Sequence, residues 1–180
     1  MKKVMVVLLT VCILFSEAGC SFLNDTYSLT KQTETVFSID SYNLQITADN
    51  TFHQEPISNF DLQLTNRNSY ISIMAYKYID LANNSTPLDI YDMQNEDLFS
   101  RRENVTIIED VEVQSLPQAV VTQTTYSAER EGIKNYYVSY LIDFPNAETF
   151  AWVLVTAVPS YIDNNRAYLN NIVCSLESIE

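Results

Sequence analysis

The sequence predicts an α+β domain, a three-layer α/β/α sandwich with a mainly antiparallel sheet and two main helices at about 87–102 and 160–178. Three observations carry this. Short runs of β-branched and aromatic residues alternate with turn residues along most of the chain. They follow one another without intervening helices, which favours antiparallel pairing. Finally, Phe150 to Val158 is apolar on both faces and reads as a central strand covered on each side.

The chain opens with Lys2 and Lys3, an apolar run from Val4 to Phe15 and the small polar stretch Ser16-Glu17-Ala18-Gly19, the layout of a secretory signal over residues 1–19. As a helix, Val4 to Phe15 spans only about 18 Å against a ~30 Å hydrocarbon core, so removal is favoured over an uncleaved anchor. The string Ala18-Gly19-Cys20-Ser21 resembles the lipobox of bacterial lipoproteins, in which the Cys thiol is diacylated and becomes the new N-terminus. Glu17 stands where that family usually places Leu. Ser16-Glu17-Ala18 also matches the small-x-small pattern of ordinary signal peptidase, which would release a soluble product beginning at Gly19. Residues 20–34 then form a lipidated N-terminus and tether, and 35–180 a single domain. Cys12 lies in the signal and Cys174 stands alone near the C-terminus, so a chain lipidated at Cys20 has no partner for a disulfide. An unmodified Cys20 could bridge to Cys174 in an oxidising compartment.

Each later element has its own signal. Val36 to Ile39 and Tyr42 to Thr47 read as a hairpin around Asp40-Ser41, and Phe60 to Thr65 and Tyr70 to Ile79 as a second around Asn66-Arg67-Asn68. Thr86, Pro87 and Asp89 give a cap, a first helical residue and a capping box, while Arg101 and Arg102 suit the C-terminal end of the helix dipole. In Val105 to Val113, Val105, Ile107, Val111 and Val113 keep one phase, which Glu109 interrupts. Strands follow at Gln118 to Ala128, Lys134 to Phe144 after Gly132, and Phe150 to Val158. Ser160 and Asp163 read as a second capping box opening a helix with the stripe Ile162, Leu169, Ile172, Val173, Leu176 and Ile179.

This pattern resembles the PsbP-like fold group, which includes photosystem accessory proteins, the Ran-binding Mog proteins and many small bacterial lipoproteins. The residues that carry the resemblance are Asp40-Ser41-Tyr42-Asn43-Leu44-Gln45-Ile46, the segment from Val113 through Gly132 to Tyr140, and Asn171-Ile172-Val173-Cys174-Ser175-Leu176. The resemblance implies the fold and a binding or accessory role; it brings no active-site residue with it.

Charge and composition exclude several activities. With 10 basic against 23 acidic residues and a net charge of −13, phosphate backbones are repelled, and the basic residues are scattered rather than striped, so no nucleic-acid partner is expected. Two glycines rule out Gly-rich phosphate loops, and with His53 as the only histidine no two-histidine metal site can form. Asp89, Asp92 and Glu96 share a helix face, read as solvated, and Glu103, Glu109, Asp110 and Glu112 form a second acidic cluster. Neither is assigned a metal, and no cofactor is expected. The tyrosines Tyr70, Tyr76, Tyr78, Tyr126, Tyr136 and Tyr140 could fill the layers or offer a platform.

The reading is an exported, lipid-anchored envelope protein acting as a non-catalytic binding or accessory module, held to the membrane by its N-terminal lipid. The alternatives are a secreted hydrolase using a carboxylate pair such as Glu109 and Glu112, and a purely structural envelope protein. The candidate contacts for an envelope protein or glycan are Phe52, His53, Tyr136 and Tyr137, with Tyr42 beside them, placed at the rim where strand ends meet loops. The acidic surroundings are expected to disfavour anionic ligands and favour a neutral or cationic one such as a glycan or a basic protein patch.

Overall fold

The computed structural model describes residues 33–56, 59–82 and 85–179. The signal 1–19, Cys20 and the tether as far as residue 32 lie outside the described residues.

Twelve regular elements are described: β1 (Glu34–Ile39), β2 (Leu44–Asp49), β3 (His53–Gln54), β4 (Leu62–Thr65), β5 (Ser69–Lys77), α1 (Pro87–Ser100), β6 (Glu103–Ser115), β7 (Val120–Arg130), β8 (Ile133–Phe144), β9 (Thr149–Ala157), α2 (Pro159–Val173) and β10 (Glu177–Ser178). The strands form a seven-stranded sheet in the order β3-β4-β5-β9-β8-β7-β6 and a three-stranded sheet in the order β1-β2-β10. Every pairing is antiparallel.

β9 sits in the middle of the large sheet, and every residue in it except Thr156 is buried. Its two faces have different covers. Phe150, Trp152 and Leu154 meet Tyr91 of α1, while Ala151, Val153 and Val155 belong to the core that includes Ile162, Leu169 and Ile172 of α2. Leu44 and Ile46 of β2 enter that second core too, so one outer layer is α1 and the other is α2 together with the small sheet. The sandwich is therefore the expected one, with a strand hairpin sharing the second outer layer.

The covering helix is pinned as well as packed. Trp152 Nε1 donates to Ser139 Oγ at 2.9 Å and to Asn95 Oδ1 at 3.2 Å, and Ser139 Oγ donates to the same Asn95 oxygen at 2.6 Å. Asn95 lies on α1, so a buried polar network ties helix to sheet.

Several expectations about helix ends and edges need correction. α1 has its Thr86–Asp89 capping box but ends at Ser100, with Arg101 as the C-terminal cap. The second helix stops at Val173 instead of continuing to 178, and Glu177–Ser178 pairs with β2 as β10. Ser175 explains the exit: its hydroxyl donates to the Thr47 carbonyl at 2.9 Å and accepts from the Thr47 amide at 2.9 Å, which holds the chain against the small sheet. The Ser160–Asp163 capping box is absent; the helix begins at Pro159 after Val158, which makes no side-chain cap, because proline already has the helical φ and needs no N–H there.

The β6 phase of Val105, Ile107, Val111 and Val113 does not face a core, since every residue of β6 is exposed. β6 is the sheet edge, and its ladder with β7 shifts register between Glu103 and Thr106, between Ile107 and Glu109, and between Glu109 and Glu112. Bulges and acidic side chains are the usual protection of an exposed apolar edge against pairing with another chain. The β7–β8 turn has two residues, Glu131 at φ 56° and Gly132 at φ 76°, the type I′ geometry that matches strand twist.

Two predictions follow from these placements. Trp152→Ala removes the largest ring under α1 and strands the Asn95–Ser139 pair, and should cost about 3–5 kcal/mol in chemical denaturation; a loss well under 1 kcal/mol would contradict the buried assignment. Replacing Asp110 and Glu112 together by Val should leave the fold intact while sedimentation becomes concentration-dependent; sedimentation identical to the parent chain would show that those charges do not guard the edge.

Candidate binding surfaces at the two ends of the sheet

The four candidate contacts do not form one surface. Phe52 is 4% exposed and packs in the α2-side core, its ring 6.4 Å from that of Tyr168. Tyr137 is 3% exposed in the α1-side core, edge-on to Phe99. Tyr136, half-buried, packs against the α2-side core. Successive residues of a strand face opposite sides of the sheet, so Tyr136 and Tyr137 could not share a surface once β8 became an inner strand. His53 alone is exposed, on β3 opposite Thr65.

The other tyrosines mostly fill the layers between sheet and helices, as expected. Tyr76 stacks on Phe150 at 5.0 Å and accepts a hydrogen bond from Gln94 at 3.0 Å. Tyr78 donates to Asp143 and Tyr140 to Asn170. Tyr126 lies 4.3 Å from Phe99. Tyr70, 44% exposed, is the exception.

The carboxylates are already used or exposed. Asp89 closes the α1 capping box, and Glu109 accepts from Thr125 Oγ1 at 2.7 Å and from Arg166. Glu112 lies elsewhere on the exposed edge, and the register shift between it and Glu109 separates the two. Among the described residues no group of three or more His, Cys, Asp or Glu is placed to hold a metal ion. Burial pushes the Cys174 thiol up from its ordinary value, which disfavours the reactive thiolate.

Because both sheet faces are covered, concave surface is found at the sheet's ends. One cavity, of about 460 Å³, lies where β5 ends and β9 begins, between Lys77, Tyr42, Glu148 and Thr149. The Lys77 ammonium sits 5.7 Å from the centre of the Tyr42 ring, and Thr149 Oγ1 is buried without a partner among the described residues.

At the opposite end a groove of about 530 Å³ has an apolar floor of Phe60, Leu98 and Leu154, with Arg67, Arg102 and Arg130 around it. Each arginine closes a different element. Arg67 is at the tip of the β4–β5 hairpin, Arg102 follows α1, and Arg130 ends β7. The hairpin tip is rigid: Asn66 Oδ1 accepts from the amides of Asn68 (3.2 Å) and Ser69 (3.0 Å) and from Ser69 Oγ (2.9 Å), and Asn66 Nδ2 donates to Tyr161 Oη at 2.9 Å. Arg102 Nε donates to Tyr137 Oη at 3.2 Å, and its guanidinium lies 5.7 Å from that ring's centre. Basic residues that look scattered along the sequence are thus brought together by topology. The only local signal for them was their position at turn and helix ends.

Burial is the leading cause of the tyrosine shifts. It pushes the Tyr76 hydroxyl up to about 12, with Asp61 adding to it, and the Tyr168 hydroxyl up to about 12, with the hydrogen bond to Asp49 adding. For Asp49 burial acts upward, but hydrogen bonds from Thr51 and Tyr168 outweigh it and hold the carboxyl below the usual range. Both phenols are protonated in the folded chain above their ordinary value of 10, so the stability they contribute is intact below pH 10 and is lost as pH rises through about 12. Thermal midpoints should hold to pH 10 and fall between 10 and 12, together with phenolate absorbance; a flat midpoint across that window would contradict the buried phenols.

Neither a family model nor a curated protein sequence matches this chain. Solved structures match its fold. Cyanobacterial PsbP (CyanoP) from Synechocystis sp. PCC 6803 is 8% identical with TM-score 0.62, over 84% of this chain and 95% of that one. LpqN, involved in cell envelope biogenesis of Mycobacterium tuberculosis, is 10% identical with TM-score 0.58, over 85% and 88%. The Ran-binding protein Mog1p of Saccharomyces cerevisiae is 8% identical with TM-score 0.55, over 83% and 97%. The domain therefore has the PsbP-like fold.

Proposed function

We propose that this chain is an exported protein, anchored through a lipid on Cys20, whose PsbP-like domain serves as a non-catalytic binding or accessory module at the bacterial cell envelope. The observation that carries the binding reading is the groove at the arginine end of the sheet: a concave, partly apolar surface lined by charged donors, with no nucleophile–base pair in it. The single histidine and the Glu109 carboxylate lie away from this groove, on β3 and β6. The structural neighbours lend support of a general kind, one of them involved in envelope biogenesis and another binding Ran. The anchoring reading rests on the Ala18-Gly19-Cys20-Ser21 string behind a short apolar run.

The anchor is tested by Cys20→Ala, which should move the protein from the membrane fraction to the soluble or secreted fraction. The intact mass of the parent should correspond to an acylated chain starting at Cys20. Unchanged fractionation of the variant, or an unacylated N-terminus at Gly19, would overturn it.

A further inference from the structure

We infer that the groove framed by Arg67, Arg102 and Arg130 is a binding site for an anionic amphiphile, a molecule joining an oxyanion head to an apolar body. The inference rests on the binding-module reading and names its ligand class.

Charge distribution is the first argument. Of the ten Lys and Arg, Lys2, Lys3 and Lys31 precede the described residues, and three of the remaining seven line this one groove. Like charges gathered this way are unfavourable unless an anion offsets them. The chain has 23 acidic residues, yet among the described ones none is within ion-pair distance of Arg67 or Arg102. Arg130 has only its neighbour Glu131, at 3.6 Å and with both side chains well exposed, a contact of little strength. Asp97, which could have served the end of α1, is taken by Arg101.

Donor geometry is the second. A guanidinium has five N–H groups; Arg102 uses one on Tyr137 Oη and one on the Arg101 carbonyl at 3.2 Å, which leaves three for a ligand. Its packing on the Tyr137 ring fixes the direction in which they point. Arg67 is held at φ 74°, a left-handed conformation that costs an L side chain energy and that glycine adopts freely. The Asn66 hydrogen bonds hold that tip rigid, so Arg67 is presented at a fixed position rather than on a loose loop.

The floor supplies the apolar half. Phe60 lies 6.4 Å from Trp152 in a stacked arrangement and, with Leu98 and Leu154, forms a fixed apolar surface beside the guanidinium groups. Gln63, 7% exposed, also lines the groove, and its buried Oε1 has no partner among the described residues. Polyanions such as nucleic acid are repelled by the remaining net negative surface, whereas one head group can enter a groove of about 530 Å³.

The test uses the full chain with octyl phosphate below its micelle-forming concentration, and with octyl glucoside and inorganic phosphate as separate titrants in calorimetry. Octyl phosphate should bind saturably and at least tenfold more tightly than either control. Arg67→Gly and Arg102→Gln should each weaken octyl phosphate about tenfold or more, as expected for loss of charge-assisted hydrogen bonds. Arg67→Gly should do so with a thermal midpoint no lower than the parent's, since it relieves the left-handed turn, which separates loss of the site from loss of the fold. Equal affinity for octyl glucoside would overturn the oxyanion requirement and leave a binding module of another specificity. Equal affinity for inorganic phosphate would make the ligand a free oxyanion and overturn the amphiphile. Binding of none of the three, or variants that bind like the parent, would also overturn the inference. Fractionation of Cys20→Ala is independent of all these outcomes, so the anchor and the groove fail separately.

Discussion

The rest of the structure depends on one constraint: β9 is apolar on both faces and must be covered on both. Phe150, Trp152 and Leu154 cannot be buried by the layer that buries Ala151, Val153 and Val155, because neighbouring strand residues point in opposite directions. Two separate covers are needed, and the chain supplies α1 for one and α2 with the β1–β2–β10 sheet for the other. The small sheet answers a shortage of length. The 15 residues of α2, interrupted at Asn165 (φ −125°, ψ 15°), span at most about 22 Å, too little to roof a seven-stranded sheet whose strands are about 4.8 Å apart, and Leu44 and Ile46 extend the cover.

A sheet covered in this way has few places left at which to meet another molecule. The faces are closed in the middle, so recognition falls to the ends of the strands and to the β6 edge. The edge carries Ile107, Val111 and Val113 in the open together with Glu109, Asp110 and Glu112 and a ladder that shifts three times. Those features oppose strand addition, so the edge reads as a protected boundary. The ends remain, and there two of the cavities differ in character: one has a single ammonium beside a tyrosine ring, the other three arginines around an apolar floor.

How much of this was legible in the sequence depended on the range of the interaction that decides each feature. α1 could be read from Thr86, Pro87 and Asp89 because a capping box is settled within four residues. The hairpins could be read because turn chemistry and alternation are local as well. The end of α2 could not, since the apolar stripe continues through Leu176 and contacts far along the chain, of Ser175 with Thr47, Glu177 with Gln45 and Ile179 with Asn43, turn the chain into β10. The β6 phase misled for a related reason: alternation shows that a strand has an apolar side, and sheet order decides whether anything covers it. At the site, Tyr136 and Tyr137 were incompatible from the start, as adjacent residues of one strand, but Phe52 needed the fold to place it in the opposite core from Tyr137. Arg67, Arg102 and Arg130 belong to three elements whose ends meet only when β4, β5, β9, β8 and β7 are set in order.

Backbone strain links the fold to the groove. Apart from Gly132, five of the described residues hold positive φ, namely Asn43, Arg67, Asn104, Glu131 and Glu148. Asparagine tolerates this region better than most side chains, so Asn43 and Asn104 are inexpensive solutions to tight turns. Arg67, Glu131 and Glu148 are not; Glu131 sits in the two-residue β7–β8 turn, while Arg67 and Glu148 each line a cavity at their own end of the sheet. With glycine almost absent after the signal, the chain has accepted a long charged side chain at three described turns where glycine would be easier, and two of the three line cavities. A position that keeps a strained side chain facing a cavity is one where the side chain, more than the turn, determines which residue stands there. That same logic makes a gain in stability on removing Arg67 compatible with a loss of binding, because the strain resides in the folded turn while the benefit appears only with a ligand in the groove.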